Sequence, residues 1–255
     1  MAGYRNLAAY YGALFPVSEA CRRYLAPEAA RCREMGLPWL DVGCGTGNLL
    51  AWLEGEGVDA RGLEPDADFA REARRRLRDG QRRVLIGGME DVARCYGSLS
   101  FGAISCLGNV LAHAATVERA RDFLGAAHSR LAPGGAMIVQ IVNFDRVFAS
   151  KDGSFPVLNR VALDGTPLTF ERRYQLGEYQ PGGPLIFDTV LSVGGERIEN
   201  SARLLPLRKS DLAAAAREVF GKGHVAAYGD YDGAPWTARS PATILVCRQR
   251  PVLAR

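Results

Sequence analysis

Lysine and histidine are scarce in this chain: there are three lysines against 29 arginines, and three histidines in 255 residues. The histidines, at 113, 128 and 224, are scattered and give no metal-ligand spacing. Cysteines lie at 21, 32, 44, 95, 106 and 247 without a CxxC pair, so a zinc knuckle or a thioredoxin-type site has no residues to build it. No apolar run approaches ~18 residues, and no membrane span is expected. A basic stretch followed by an apolar core is missing at the N-terminus, so no signal peptide is expected either. These absences predict a cytoplasmic protein with reduced thiols. Internal repeats and low-complexity linkers are also absent. The net charge is only +4. The arginine excess, with abundant alanine and glycine, reads as the bias of a GC-rich genome rather than as selection for a nucleic-acid partner.

What is present centres on Leu40–Leu50, LDVGCGTGNLL. Trp39, Leu40 and Val42 are strand-like. Gly43, Gly45 and Gly47 alternate, and Leu49, Leu50, Trp52 and Leu53 then recur at helical spacing. A strand that runs through a glycine turn into a helix exposes free N–H groups to an anionic ligand. The spacing is GxGxG with Asn48 next, not the GxGxxG of dinucleotide sites, and no Gly-Lys-Ser/Thr follows as in a P-loop. A second strand, Val58–Leu63, ends in Glu64-Pro65-Asp66. An acid about twenty residues beyond such a turn suits the two hydroxyls of a ribose. Asp66 has the place of a helix N-cap, with Phe69, Ala73 and Leu77 as the buried face and Gly80 as the stop. Seven arginines between Arg71 and Arg83 lack interleaved aromatics and read as a solvated helix face.

Together these residues resemble motif I and its following acid in class I S-adenosylmethionine (SAM) methyltransferases. CLGNVLAH after strand four and NFDR after strand five are similar to the glycine/sarcosine N-methyltransferase-like small-molecule group. The resemblance implies an α/β fold: a doubly wound, Rossmann-like seven-stranded sheet with an N-terminal helical cap and an inserted antiparallel β lid. The implied boundaries are 1–34 for the cap, 35–147 and 206–255 for the SAM-binding domain, and 148–205 for the lid. It implies SAM as cofactor, with S-adenosylhomocysteine (SAH) as product. Asp41 would support a loop of Gly43, Cys44, Gly45, Thr46 and Gly47. Glu64 and Pro65 would hold the ribose. Met89 with Glu90 or Asp91 would hold the adenine, and Leu107, Gly108 and Asn109 would approach the sulfonium. Asn109, His113 and Tyr11 are candidates for the reacting centre. Tyr10, Asn143, Arg172, Tyr174 and Tyr228 are candidates for contact with the acceptor.

The cap is expected as two helices over 4–34, broken at Pro16. Strand five is expected at Ala136–Val142, and the lid as three extended runs between Phe148 and Leu207. The Asn/Asp-Pro-Pro-aromatic tetrapeptide of base-amine methyltransferases and the Pro-Cys of cytosine C5 enzymes are both missing, and so is the CxxxCxxC of radical-SAM chemistry. The expected activity is metal-free methyl transfer to a small molecule, an amine slightly favoured, with nucleic acid an unfavoured partner and the oligomeric state open. The alternatives are an RNA or protein methyltransferase, or a SAM-binding sensor without turnover.

Overall fold

A computed structural model describes residues 7–250. The start of the expected cap and residues 251–255 of the expected SAM-binding domain lie outside the described residues. In chain order the helices are α1 (Ala8–Leu14), α2 (Glu19–Met35), α3 (Asn48–Gly55), α4 (Ala67–Arg76), α5 (Gly80–Arg83), α6 (Val117–Arg130), α7 (Phe144–Ser150) and α8 (Lys209–Phe220). The strands are β1 (Trp39–Val42), β2 (Ala60–Glu64), β3 (Val84–Ile86), β4 (Phe101–Cys106), β5 (Leu131–Val142), β6 (Leu158–Val161), β7 (Pro167–Tyr174), β8 (Leu185–Val193), β9 (Glu196–Leu204), β10 (Val225–Tyr228) and β11 (Ala242–Arg248).

Seven strands form one sheet in the order β10-β11-β5-β4-β1-β2-β3. Pairing is parallel except that β11 runs against both β5 and β10. The central strands read as nearly continuous apolar runs because helices cover both faces. Trp39, Leu40, Phe101, Ile104, Met137 and Val139 are all fully buried. From β1 the order steps outward in both directions, through β2 on one side and β4 on the other. The loops after β1 and β4 therefore flank a crevice at the carboxyl edge, where open α/β sheets bind ligands.

The remaining strands make a separate antiparallel sheet, β6-β7-β8-β9. Its Leu168, Phe170, Leu191 and Val193 pack with Leu7, Leu14 and Phe69, so α1 lies between this sheet and α4. Further along, Tyr174, Leu185 and Leu204 join the main core. The insertion thus reaches the main domain through α1.

Three expectations are corrected here. Gly80 does not end α4: the helix stops at Arg76, and Gly80 opens the short α5. Strand five begins five residues early, at Leu131, because the Pro133-Gly134-Gly135 segment stays in the ladder through a register shift beside Phe101 and Ala103. The insertion has four strands, not three. The short β6 was hidden because three of its four residues are exposed and carry no alternation.

Asn48, the residue that breaks the dinucleotide pattern, has a defined task. Its Nδ2 donates to the carbonyls of Gly12 (3.1 Å) and Phe15 (2.8 Å), which the end of α1 leaves without helical partners. Its Oδ1 accepts from Arg76 at 2.8 Å. The arginine-rich α4 is otherwise paired locally, through Arg71–Asp68 and Arg75–Glu72, as a solvated face should be. Replacing Asn48 by Ala should loosen α1 by about 1–3 kcal/mol. Hydrogen exchange of the α1 amides should then accelerate while β1 and β4 stay protected; unchanged α1 protection would refute the tie.

Candidate active site

The chain leaves β1 into Gly43-Cys44-Gly45-Thr46-Gly47, and the three glycines have φ of 72°, 55° and 80°. At Gly43 a Cβ would lie 2.5 Å from Val110 Cγ1, so only glycine lets this turn approach the loop after β4. At Gly45 a Cβ would lie 3.4 Å from Tyr11 Cε1; α1 rests its tyrosine on the turn. The N–H groups of Gly43 and Cys44 donate to Leu63 O at 2.8 and 3.0 Å, which ties the turn to the end of β2. Thr46 is buried within it, and its hydroxyl oxygen has no partner.

Glu64 ends β2 and is 7% exposed. One carboxylate oxygen accepts from Gly45 N at 2.9 Å and the other from Asp66 N at 3.0 Å. Burial raises its pKa, while the same two N–H donors act in the opposite direction. Asp66 then caps α4 by accepting from the amides of Asp68 and Phe69. Asp41 lies deeper. Ser105 Oγ donates to it at 2.6 Å and accepts from Trp39 Nε1 at 2.8 Å. Burial pushes the Asp41 pKa up to about 7 against the Ser105 bond, and the nearby Glu64 charge adds to the rise.

Beside the turn opens a cleft of about 620 Å³. Val42, Gly43, Glu64, Pro65 and Asp66 form one side. Gly88, Met89 and Glu90 form the next, and Val110, His113 and Phe123 close the far wall. Apolar walls around a few fixed polar groups are the usual lining of a small-molecule site.

Three comparisons bear on this arrangement. Residues 40–137 match the family described as "Methyltransferase domain". Over 121 residues the chain is 31% identical to a dTDP-3-amino-3,4,6-trideoxy-alpha-D-glucopyranose N,N-dimethyltransferase of Streptomyces venezuelae. That match covers 48% of this chain and 49% of the relative, so the chain spans about half the length of the curated relative it matches. Among solved structures, the CcbJ methyltransferase from Streptomyces caelestis superposes with a TM-score of 0.68 at 19% identity, covering 91% of this chain and 96% of that one. DesVI from Streptomyces venezuelae gives 0.67 at 21%, covering 91% and 93%. CalS10, an amino pentose methyltransferase from Micromonospora echinaspora, gives 0.62 at 20%, covering 92% and 97%. This is the class I methyltransferase fold.

Within the methyltransferase fold, the expected residues fall into two groups. Gly43, Glu64, Pro65, Met89, Glu90 and His113 converge on the cleft. Of the two candidate acids after β3, Glu90 lines it. Asp91 instead accepts from Gly88 N at 2.9 Å and pairs with Arg94; the Gly88 bond first, and Arg94 after it, hold its pKa low. Cys44 is buried behind the turn, where burial keeps its thiol protonated. His113 is half-buried, and desolvation lowers its pKa, so it is neutral at physiological pH. Leu107 packs against the core on the α2 side of the sheet. Gly108 N donates to Gln140 Oε1 at 2.7 Å.

The other candidates are engaged elsewhere. Asn109 takes φ of 69° and uses its Oδ1 on Val142 N at 3.0 Å, so its carbonyl end fixes the turn after β4. Asn143 is a correction: at 0% exposed, its Nδ2 donates to the carbonyls of Thr237 and Ser240 while Oδ1 caps α7. It fastens the 237–240 loop. Tyr174 is a second correction. It is 2% exposed and packed among Phe144, Phe155 and Phe187, where the inserted sheet joins the main core. Tyr10 is half-buried in the α1–lid cluster, and Tyr228 stacks edge-on against Tyr24.

Four contributors escaped sequence reasoning. Ser105 and Trp39 position Asp41, but an apolar-looking strand gives no signal for a buried hydroxyl relay. Gln140 props Gly108 from the neighbouring strand. Tyr231 hydrogen-bonds Cys21, and its pKa is raised by burial first and by the Cys21 and Asp41 charges after it. It brings the 228–236 segment over α2. The sequence carries Tyr-Gly-Asp-Tyr at 228–231 but gives no sign of its Cys21 partner.

The buried carboxyl of Asp41 makes stability depend on pH. Between the ordinary value near 3.8 and about 7, the native state holds a proton that the unfolded chain has lost. Stability therefore falls as pH rises through that window, by about 1.4 kcal/mol per unit of displacement. Asp41→Asn should be insensitive to it. Thermal unfolding should show the variant gaining on the wild type from pH 4 to 7 and holding that lead above it; parallel curves would contradict the shift.

Proposed function

We propose that this chain is a SAM-dependent methyltransferase acting on a small-molecule acceptor, with an amine as the favoured nucleophile. The observation that carries this reading is Glu64, a buried carboxylate at the mouth of the 620 Å³ cleft and bonded to the glycine turn itself. The site fits the cofactor: an acid for ribose hydroxyls, an apolar slot at Met89 and Val110 for a base, and an orphaned Thr46 hydroxyl in the turn. Glu64 and Pro65 would hold the ribose, Met89 and Glu90 the adenine, and the turn from Gly43 to Gly47 with Asp41 the amino-acid end. SAM supplies a methyl group already carried on a sulfonium leaving group.

The chain's own residues then have three tasks. The glycine turn and the Asn109 turn fix position, and orientation alone can supply ~7–11 kcal/mol. Tyr11 and α1 cover the turn and exclude water. Neutral His113 can accept a proton from the nucleophile, although an amine can also release its proton to water. The amine preference is supported by the printed activity of the curated relative, an N,N-dimethyltransferase, and by the sugar N-methyltransferase and amino pentose methyltransferase among the structures of similar fold.

Titration calorimetry with SAM and SAH tests the cofactor half, and a methyl-transfer assay over amino sugars and other small amines tests the acceptor half. Glu64→Ala should weaken SAH by 2–4 kcal/mol, roughly 30- to 1000-fold, from hydrogen bonds to a charged group worth ~1.5–3 each. Glu64→Gln, which keeps one acceptor oxygen, should fall between. Equal affinity in all three proteins would remove the ribose assignment. Gly45→Val should abolish binding, because it imposes a β-branched side chain on a left-handed backbone against Tyr11.

A further inference from the structure

The inner face of the inserted sheet carries a polar row between two apolar ones. Register pairs Arg172 with Thr189, and Thr189 with Asn200, across three adjacent strands. Side chains paired in this way stand on one face, about 4.5–5.5 Å apart at Cβ. The rows on either side are Phe170, Leu191 and Ile198, and Tyr174, Phe187 and Ala202. Arg172 Nε, Thr189 Oγ1 and Asn200 Nδ2 are each buried and without a hydrogen-bond partner. Thr189 is 2% exposed.

Three orphaned polar atoms in one row are not a random defect, since buried polar groups in native proteins are nearly always paired. The Arg172 guanidinium is also held in place. It lies 5.8 Å from the Phe15 ring centroid and 5.0 Å from that of Phe155, and one terminal nitrogen donates to Pro156 O at 3.1 Å. The carboxylates nearest in sequence, Glu171, Asp188 and Glu199, alternate to the opposite face of the sheet. The row therefore offers N–H and O–H donors and a positive charge, and the acid on its own face, Glu196, stands two rows away opposite Val193 at the strand end. Through Phe15 and Tyr11 it is linked to the glycine turn: the Phe15 and Tyr11 rings are 4.8 Å apart, and Tyr11 rests on Gly45.

We propose that Arg172, Thr189 and Asn200 form an oxyanion-binding subsite for the methyl acceptor, taking a carboxylate or phosphate group that the acceptor carries. The assignment rests on the methyl-transfer reading for the acceptor's identity, but the subsite itself can be tested without catalysis. A guanidinium with flanking neutral donors suits such a group because charge-assisted bonds to planar or tetrahedral oxyanions are strong and directional.

The test is thermal unfolding of the full-length protein with inorganic phosphate or acetate, against chloride at equal ionic strength. The wild type should be stabilised by several degrees by one of the two anions. Phosphate points to a phosphorylated acceptor and acetate to a carboxylate-bearing one. The double variant Thr189→Val/Asn200→Leu, which removes two orphans with little change in volume, should fold and lose at least tenfold in apparent affinity for that anion. Arg172→Lys should also bind it more weakly. Arg172→Gln serves if the double variant does not unfold cooperatively. SAH titration runs alongside, with the double variant expected within twofold of the wild type. Neither anion acting beyond chloride, or variants responding as the wild type does, would overturn the subsite. Failure of the wild type to bind SAH would count against methyl transfer while leaving the anion result to decide the row.

Discussion

One buried carboxylate holds the site in register. Glu64 sits at the end of β2 and spends one oxygen on the amide of Gly45 and the other on that of Asp66. Two loops from different strands, and the start of α4, are thereby set by a single side chain. Each oxygen keeps a second lone pair and Glu64 lines the cleft, so the same group can support the turn and meet a ligand. Burial makes the charge costly, and the backbone donors offset part of that cost. Glycine is required at 43 and 45 because the turn must lie against Val110 on one side and Tyr11 on the other.

The sheet and the crevice at its carboxyl edge were legible because they depend on local pattern. The alternation of three glycines, an acid at the next strand's end, and apolar strand runs are all short-range signals, and the structure brings those residues to one cleft. Strand pairing converts them directly into position: β1 and β2 are neighbours, so Glu64 must meet the turn. The acceptor half was less legible because its residues act through distant partners. Asn143 looked like a polar group at a ligand-binding edge, yet it is used up by carbonyls nearly a hundred residues away. Tyr174 looked like a contact for an acceptor and is packed inside the protein. Thr189 and Asn200 drew no notice because a lone threonine or asparagine in a strand is ordinary. Only register reveals that they stand beside Arg172.

The segment most changed in meaning is Asn48. In sequence it served to exclude a dinucleotide fold. In the structure it completes the C-terminal end of α1 and, with Arg76, fixes that helix over the turn. The departure from GxGxxG is therefore a constructive feature: a glycine there would leave two α1 carbonyls unmet.

Because α1 packs on the glycine turn through Tyr11 and on the inserted sheet through Phe15 and Phe170, the turn and the sheet share one wall. A ligand that binds better with this wall seated favours the same arrangement for its counterpart. Thermodynamic reciprocity then requires each to tighten the other by an equal factor. A short helix of seven residues would thereby link what binds at the turn to what binds at the inserted sheet.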